Sequence, residues 1–68
     1  MKIYYDDATD LLYLRFDDRE QPVENRKLAN DIVLDIGEGD KIVGIEILDA
    51  SKHVSLQSLL PTHYQITT

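Results

Sequence analysis

Residues 31–51 read DIVLDIGEGDKIVGIEILDAS, and this stretch decides the fold. Two apolar runs flank Gly37-Glu38-Gly39-Asp40. The glycines at 37 and 39 supply the backbone freedom of a tight turn. The pattern predicts a β-hairpin with strands near 31–37 and 40–49. Closing it at Glu38-Gly39 sets Ile36 opposite Lys41, Leu34 opposite Val43 and Ile32 opposite Ile45. Ile32, Leu34, Val43, Ile45 and Ile47 then share one face, because side chains alternate with a period of two. A slip of one residue would mix that face with polar groups.

Working outward, residues 2–5 and 11–16 predict a second hairpin. Asp6-Asp7-Ala8-Thr9-Asp10 forms its turn, since Asp and Thr side chains bond nearby backbone. Tyr5 is expected opposite Leu12, and Ile3 opposite Leu14. After a polar break at 17–22, residues 23–28 read as a short edge strand, charged and preceded by Pro22. Ser51 is placed to cap a short helix, with Ser55 as the rival cap. Val54, Leu56, Leu59 and Leu60 form its apolar stripe, and Pro61 stops it. The expectation is one α+β domain over 1–68. It is an antiparallel sheet of about four strands in two hairpins, with the short C-terminal helix packed on one face. Residues 61–68 read either as a flexible tail or as an extra edge strand.

One face of that sheet, carrying Ile3, Tyr5, Leu12, Leu14, Phe16, Ile32, Leu34, Ile36, Val43, Ile45 and Ile47, is almost wholly apolar and needs cover. The other is mixed, with Tyr4, Leu11, Tyr13, Arg15, Val33, Asp35, Ile42, Gly44, Glu46 and Leu48.

With 68 residues and no cysteine, the chain holds one small domain without disulfides. Small domains leave much surface exposed and gain stability by pairing. A homo-oligomer is therefore expected, with a dimer favoured. The net charge of −6 opposes nucleic acid and anionic membrane as partners and suits a small basic protein. No apolar run approaches the ~20 residues of a membrane helix, and the N-terminus lacks a signal-like core. The expected location is cytoplasmic.

Tyr4, Tyr13, Arg15, Asp35 and Glu46 form the candidate interaction surface on the mixed face. A guanidinium can hold two carboxylates in fixed geometry, so Arg15, Asp35 and Glu46 are expected either to set register as an ion-pair network or to meet a partner. Asp6 and Asp10, with Gly37 and Gly39, read as structural turn residues. Gly44 is expected to make room for the Tyr13 ring. No catalytic residue, cofactor or metal ligand set is expected: His53 and His63 lack zinc-site spacing. A weaker alternative groups Asp6, Asp10, Asp35 and Glu46 as a metal or enzymatic cluster.

Two motifs carry a resemblance. YDDATDLLYLR at 5–15 resembles a Y-D-x-x-x-D-x-L-Y-I-R pattern. VLD at 33–35 followed by IVGIEILDAS at 42–51 resembles V-x-D and then V-G-I-E-I-L-D-A-S. Together they resemble the small prokaryotic family named domain of unknown function 2283. The resemblance implies a small α+β domain with no assigned activity. Its shared positions fall on Asp10, Tyr13, Arg15, Gly44, Glu46 and Asp49. A genomic association with small toxin-like proteins implies an antitoxin-like role.

Overall fold

The computed structural model describes residues 1–59 and the backbone of residues 65–66. Strand β1 (Lys2–Asp6) turns into β2 (Leu11–Arg15). Its register is the expected one, Ile3 opposite Leu14 and Tyr5 opposite Leu12. In the turn, the Asp6 carboxylate accepts from the Ala8 N–H at 3.0 Å. Asp10 closes it in the left-handed region, φ 55°, which Asp tolerates better than most residues.

Strands β3 (Glu24–Ala29), β4 (Ile32–Ile36) and β5 (Ile42–Ile47) follow. The sheet order is β3-β4-β5-β2-β1, with every neighbour antiparallel. A two-residue strand β6 (Gln65–Ile66) lies parallel to β1 beyond it. The expectation of about four strands is thus corrected. The edge strand expected at 23–28 is present as β3, one residue further along and paired with β4, and with it the antiparallel sheet counts five strands. Of the expectation for 61–68, only β6 falls on described residues. Leu60 and Pro61, the expected end of the helix, lie outside them.

The main hairpin keeps its faces but not its expected register. Leu34 lies opposite Ile45 rather than Val43, and Ile32 opposite Ile47 rather than Ile45. Two local features cause this. The loop is one residue longer than expected, because Glu38–Asp40 form a 3-10 turn with Gly39 at φ 68° and Asp40 at φ 58°. A pairing irregularity between Asp35 and Ile36 adds one residue more on β5. A net shift of two preserves which side each chain faces, where a shift of one would have inverted it. Gly39 serves the turn through its positive φ. Gly37 does so by close approach instead: an added Cβ would sit 2.5 Å from Val43 Cγ2 and press on the Gln21 side chain. Gln21 belongs to the connection from β2 to β3, and its side-chain oxygen accepts from the Glu38 N–H at 2.8 Å.

Ser51 does not cap a helix. Ala50–Lys52 form a 3-10 turn, entered through Asp49 in the left-handed region, and α1 (Leu56–Leu59) is a single turn. Both pack on the apolar face near β1 and β2. Ile3, Tyr5, Leu12 and Ala50 are buried there, with Leu14, Ile47, Val54, Leu56 and Leu59 against them. Ile36 and Val43 are also buried. Ile32, Leu34 and Ile45, on the same face along β4 and β5, are only half-buried. Among the described residues no helix is long and apolar enough to cross a membrane.

Candidate functional site

On the mixed face, one cross-strand row brings Asn25, Asp35, Gly44 and Arg15 side by side across β3, β4, β5 and β2. The next row brings Lys27, Val33, Glu46, Tyr13 and Tyr4 together. Gly44 leaves the gap that joins the rows. The Tyr13 ring lies across it, so that a Cβ at Gly44 would fall 2.5 Å from the Tyr13 hydroxyl oxygen. This is the arrangement expected for Gly44.

Through that gap the Tyr13 hydroxyl donates to Asp35 Oδ2 at 3.1 Å, while the Asn25 amide donates to Asp35 Oδ1. Asp35 is 8% exposed, the only charged residue so buried among those described. Its two donors satisfy the rule that a buried polar group needs partners. Tyr4 stacks on Tyr13 with centroids 6.2 Å apart, which holds the ring from its other side. Four of the five expected surface residues, Tyr4, Tyr13, Asp35 and Glu46, therefore meet.

The expected ion-pair network does not form. Arg15 lies in the row, but its Nε donates to the Asp17 carbonyl at 2.8 Å and a terminal nitrogen to the Arg19 carbonyl at 3.3 Å. Among the described residues no ion pair joins Arg15 to either carboxylate. The guanidinium is drawn off by a loop organised on Asp17, whose carboxylate takes hydrogen bonds from the Arg19 N–H, the Arg19 guanidinium and the Gln21 amide. Those contacts hold the Asp17 carboxyl well below the usual range, the Arg19 side chain contributing most. Asn25 was missed as a partner of Asp35. Its strand has no period-two pattern, so nothing local placed it opposite residue 35.

Without a cation between them, the two acids press on one another. Burial raises the Glu46 carboxyl, and the adjacent Asp35 raises it further. Burial and the Asp35 hydrogen bond likewise raise the Tyr13 hydroxyl. A carboxyl raised on folding stabilises the fold below its unfolded value, near 4.3, and loses that contribution as pH rises through the folded value. Glu46→Gln is therefore expected to stabilise the protein at pH 7 by about 1 kcal/mol, the scale of one like-charge contact in a sheet. The gain should vanish below about pH 4. Thermal melts of both proteins from pH 3 to 8 check this, and equal stability at pH 7 would refute it.

A second cluster joins the ends of the chain's two motifs. The Asp10 carboxylate accepts from the Tyr5 hydroxyl at 2.8 Å, the Ser51 hydroxyl at 2.7 Å and the Ser51 N–H at 3.1 Å. The Ala50 N–H donates to the Asp10 carbonyl at 2.9 Å. The Ser51 hydroxyl, then the Tyr5 hydroxyl, hold the Asp10 carboxyl below its ordinary value. The same bond raises the Tyr5 hydroxyl. This is a latch that seats the C-terminal cover over the first hairpin. Ser51 thus donates to an acid, where it was expected to accept from a helix end. Asp6 stays in its own turn bond. The alternative grouping of Asp6, Asp10, Asp35 and Glu46 is not assembled: Asp10 belongs to the latch, and Asp35 and Glu46 to the sheet cluster. Among the described residues no three His, Asp or Glu side chains are placed to share a metal ion.

The model of the family described as Protein of unknown function (DUF2283) matches residues 2–51. That span contains both clusters and all five antiparallel strands. No curated protein and no solved structure matches the chain.

Proposed function

The chain belongs to the DUF2283 family, and from that premise we propose that it is a non-enzymatic interaction module that pairs with a second copy of itself. One observation carries this. The helical cover reaches β1, β2 and Ile47 of β5, and leaves the β3 flank of the described sheet without cover. Beside it Ile32, Leu34 and Ile45 are half-buried, Leu28 is 64% exposed, and every residue of β3 is exposed. Burying one large apolar side chain fully contributes about 1.5–3 kcal/mol. Pairing along this flank adds a contribution of that scale to a domain whose total stability is small. A second copy is the simplest cover, because a twofold contact closes on itself and needs no other partner.

Sedimentation velocity from about 1 to 100 μM, the range in which weak specific pairs form, tests this. A monomer–dimer transition is the expected result. Tm should also rise with protein concentration, since association stabilises only the folded chain. A monomer throughout, with a constant Tm, would overturn the proposal.

A further inference from the structure

We infer that the second copy joins through β3, edge to edge and antiparallel, about a twofold axis at Asn25. This rests on the self-association proposed above and places it at the β3 edge, beside rather than over the half-buried Ile32, Leu34 and Ile45. Among the described residues β3 ends the sheet, so no described strand lies beside one row of its backbone groups. Charges on such an edge ordinarily discourage pairing. Here they are complementary to themselves in one register only.

A twofold axis between antiparallel edges keeps like faces together. Each residue therefore meets one of its own parity, with the axis passing through a residue. An axis at Glu24, Arg26 or Lys27 would set two like charges directly opposite. The pairing irregularity between Lys27 and Ala29 disqualifies Leu28 and Ala29 as centres. Asn25 remains. With the axis there, Glu24 faces Arg26 of the partner subunit, and Arg26 faces Glu24 of the partner subunit. Within one chain these two side chains already share a face, with Arg26 bonding Glu24 at 2.9 Å, so the seam would form a four-member alternating network.

The register also covers an exposed apolar group. Val23 meets the stem of the partner's Lys27, short of the irregularity at Leu28. Pro22 ends the ladder because it has no N–H to donate. On the mixed face the two Asn25 side chains meet at the axis. Each is tethered to its own Asp35, so the polar row runs from one Tyr13 across the seam to the other. The carboxylate cluster then serves to fix the centre of the interface.

The test uses two single variants, Glu24→Arg and Arg26→Glu, both at exposed side chains, with circular dichroism to confirm the fold. Each alone sets like charges opposite across the seam and is expected to weaken dimerisation about tenfold or more. Mixed in equal amounts they are complementary across the seam, though each still lacks its internal ion pair. The mixture is expected to recover wild-type dimerisation as a heterodimer. Loss of the internal pair alone would not be rescued by mixing. If the wild type dimerises but the single variants do so equally well, or the mixture fails to recover, β3 is not the seam and this inference falls while self-association stands. A wild type that stays monomeric overturns self-association itself.

Discussion

Gly44→Ala is expected to destabilise the protein by about 3 kcal/mol, the upper range for overpacking a tight site. The added methyl would lie 2.5 Å from the Tyr13 hydroxyl oxygen, 2.8 Å from its Cζ and 2.9 Å from the Leu14 carbonyl. A long, free side chain would swing aside at little cost. Tyr13 is not free, because its hydroxyl is bonded to Asp35 and its ring is stacked on Tyr4. Moving it would leave the buried Asp35 short of a donor, so the clash spreads into the carboxylate cluster. The coupling is measurable as a double-mutant cycle. In a Tyr13→Ala background the two closest contacts are gone, and Gly44→Ala should then cost about 1 kcal/mol. Chemical denaturation of the four proteins reads both values. An equal cost in both backgrounds would show that the tyrosine does not hold that position.

Leu12→Ala is the second large effect. Leu12 is 1% exposed, pairs with Tyr5 on one side and Ile47 on the other, and belongs to the core under Ala50. Truncating such a leucine costs about 3 kcal/mol, made up of lost burial and the cavity left behind. A domain of this size has a total stability of about 3–10 kcal/mol, so the variant should lose between about a third and all of it. Urea titration should show a much lower midpoint with an unchanged slope. A loss under about 1 kcal/mol would mean that the cover is not packed on Leu12 as described. The variant also bears on self-association. Its stability should recover with rising protein concentration if pairing adds to the fold.

The faces of the sheet were legible in the sequence because side-chain alternation is local and survives errors of detail. Ile3 against Leu14 and Tyr5 against Leu12 followed from one short turn. The main hairpin shows the limit. Its register depended on Asp40 accepting a left-handed conformation and on a pairing irregularity between Asp35 and Ile36, and neither leaves a pattern in composition. Gly44 beneath Tyr13 was legible because a lone glycine in a strand implies something close above it. Arg15 was misread for the opposite reason. Its proximity to Asp35 and Glu46 followed from parity, but the loop carbonyls at Asp17 and Arg19 that capture it belong to a segment with no periodic signal.

By itself the amino-acid sequence determined the two hairpins, the side on which each of their residues lies, and the presence of a small apolar cover at the C-terminal end. These follow from a period of two and from turn chemistry, which act over a few residues. Only the tertiary structure decided which distant groups satisfy one another: Ser51 with Asp10, Asn25 with Asp35, and Gln21 with the Glu38 amide. It also left Ile32, Leu34 and Ile45 only half-buried beside an exposed β3. Such pairings are selected by how the hairpins close against each other, where a polar group takes whatever partner the assembled sheet brings within hydrogen-bonding reach.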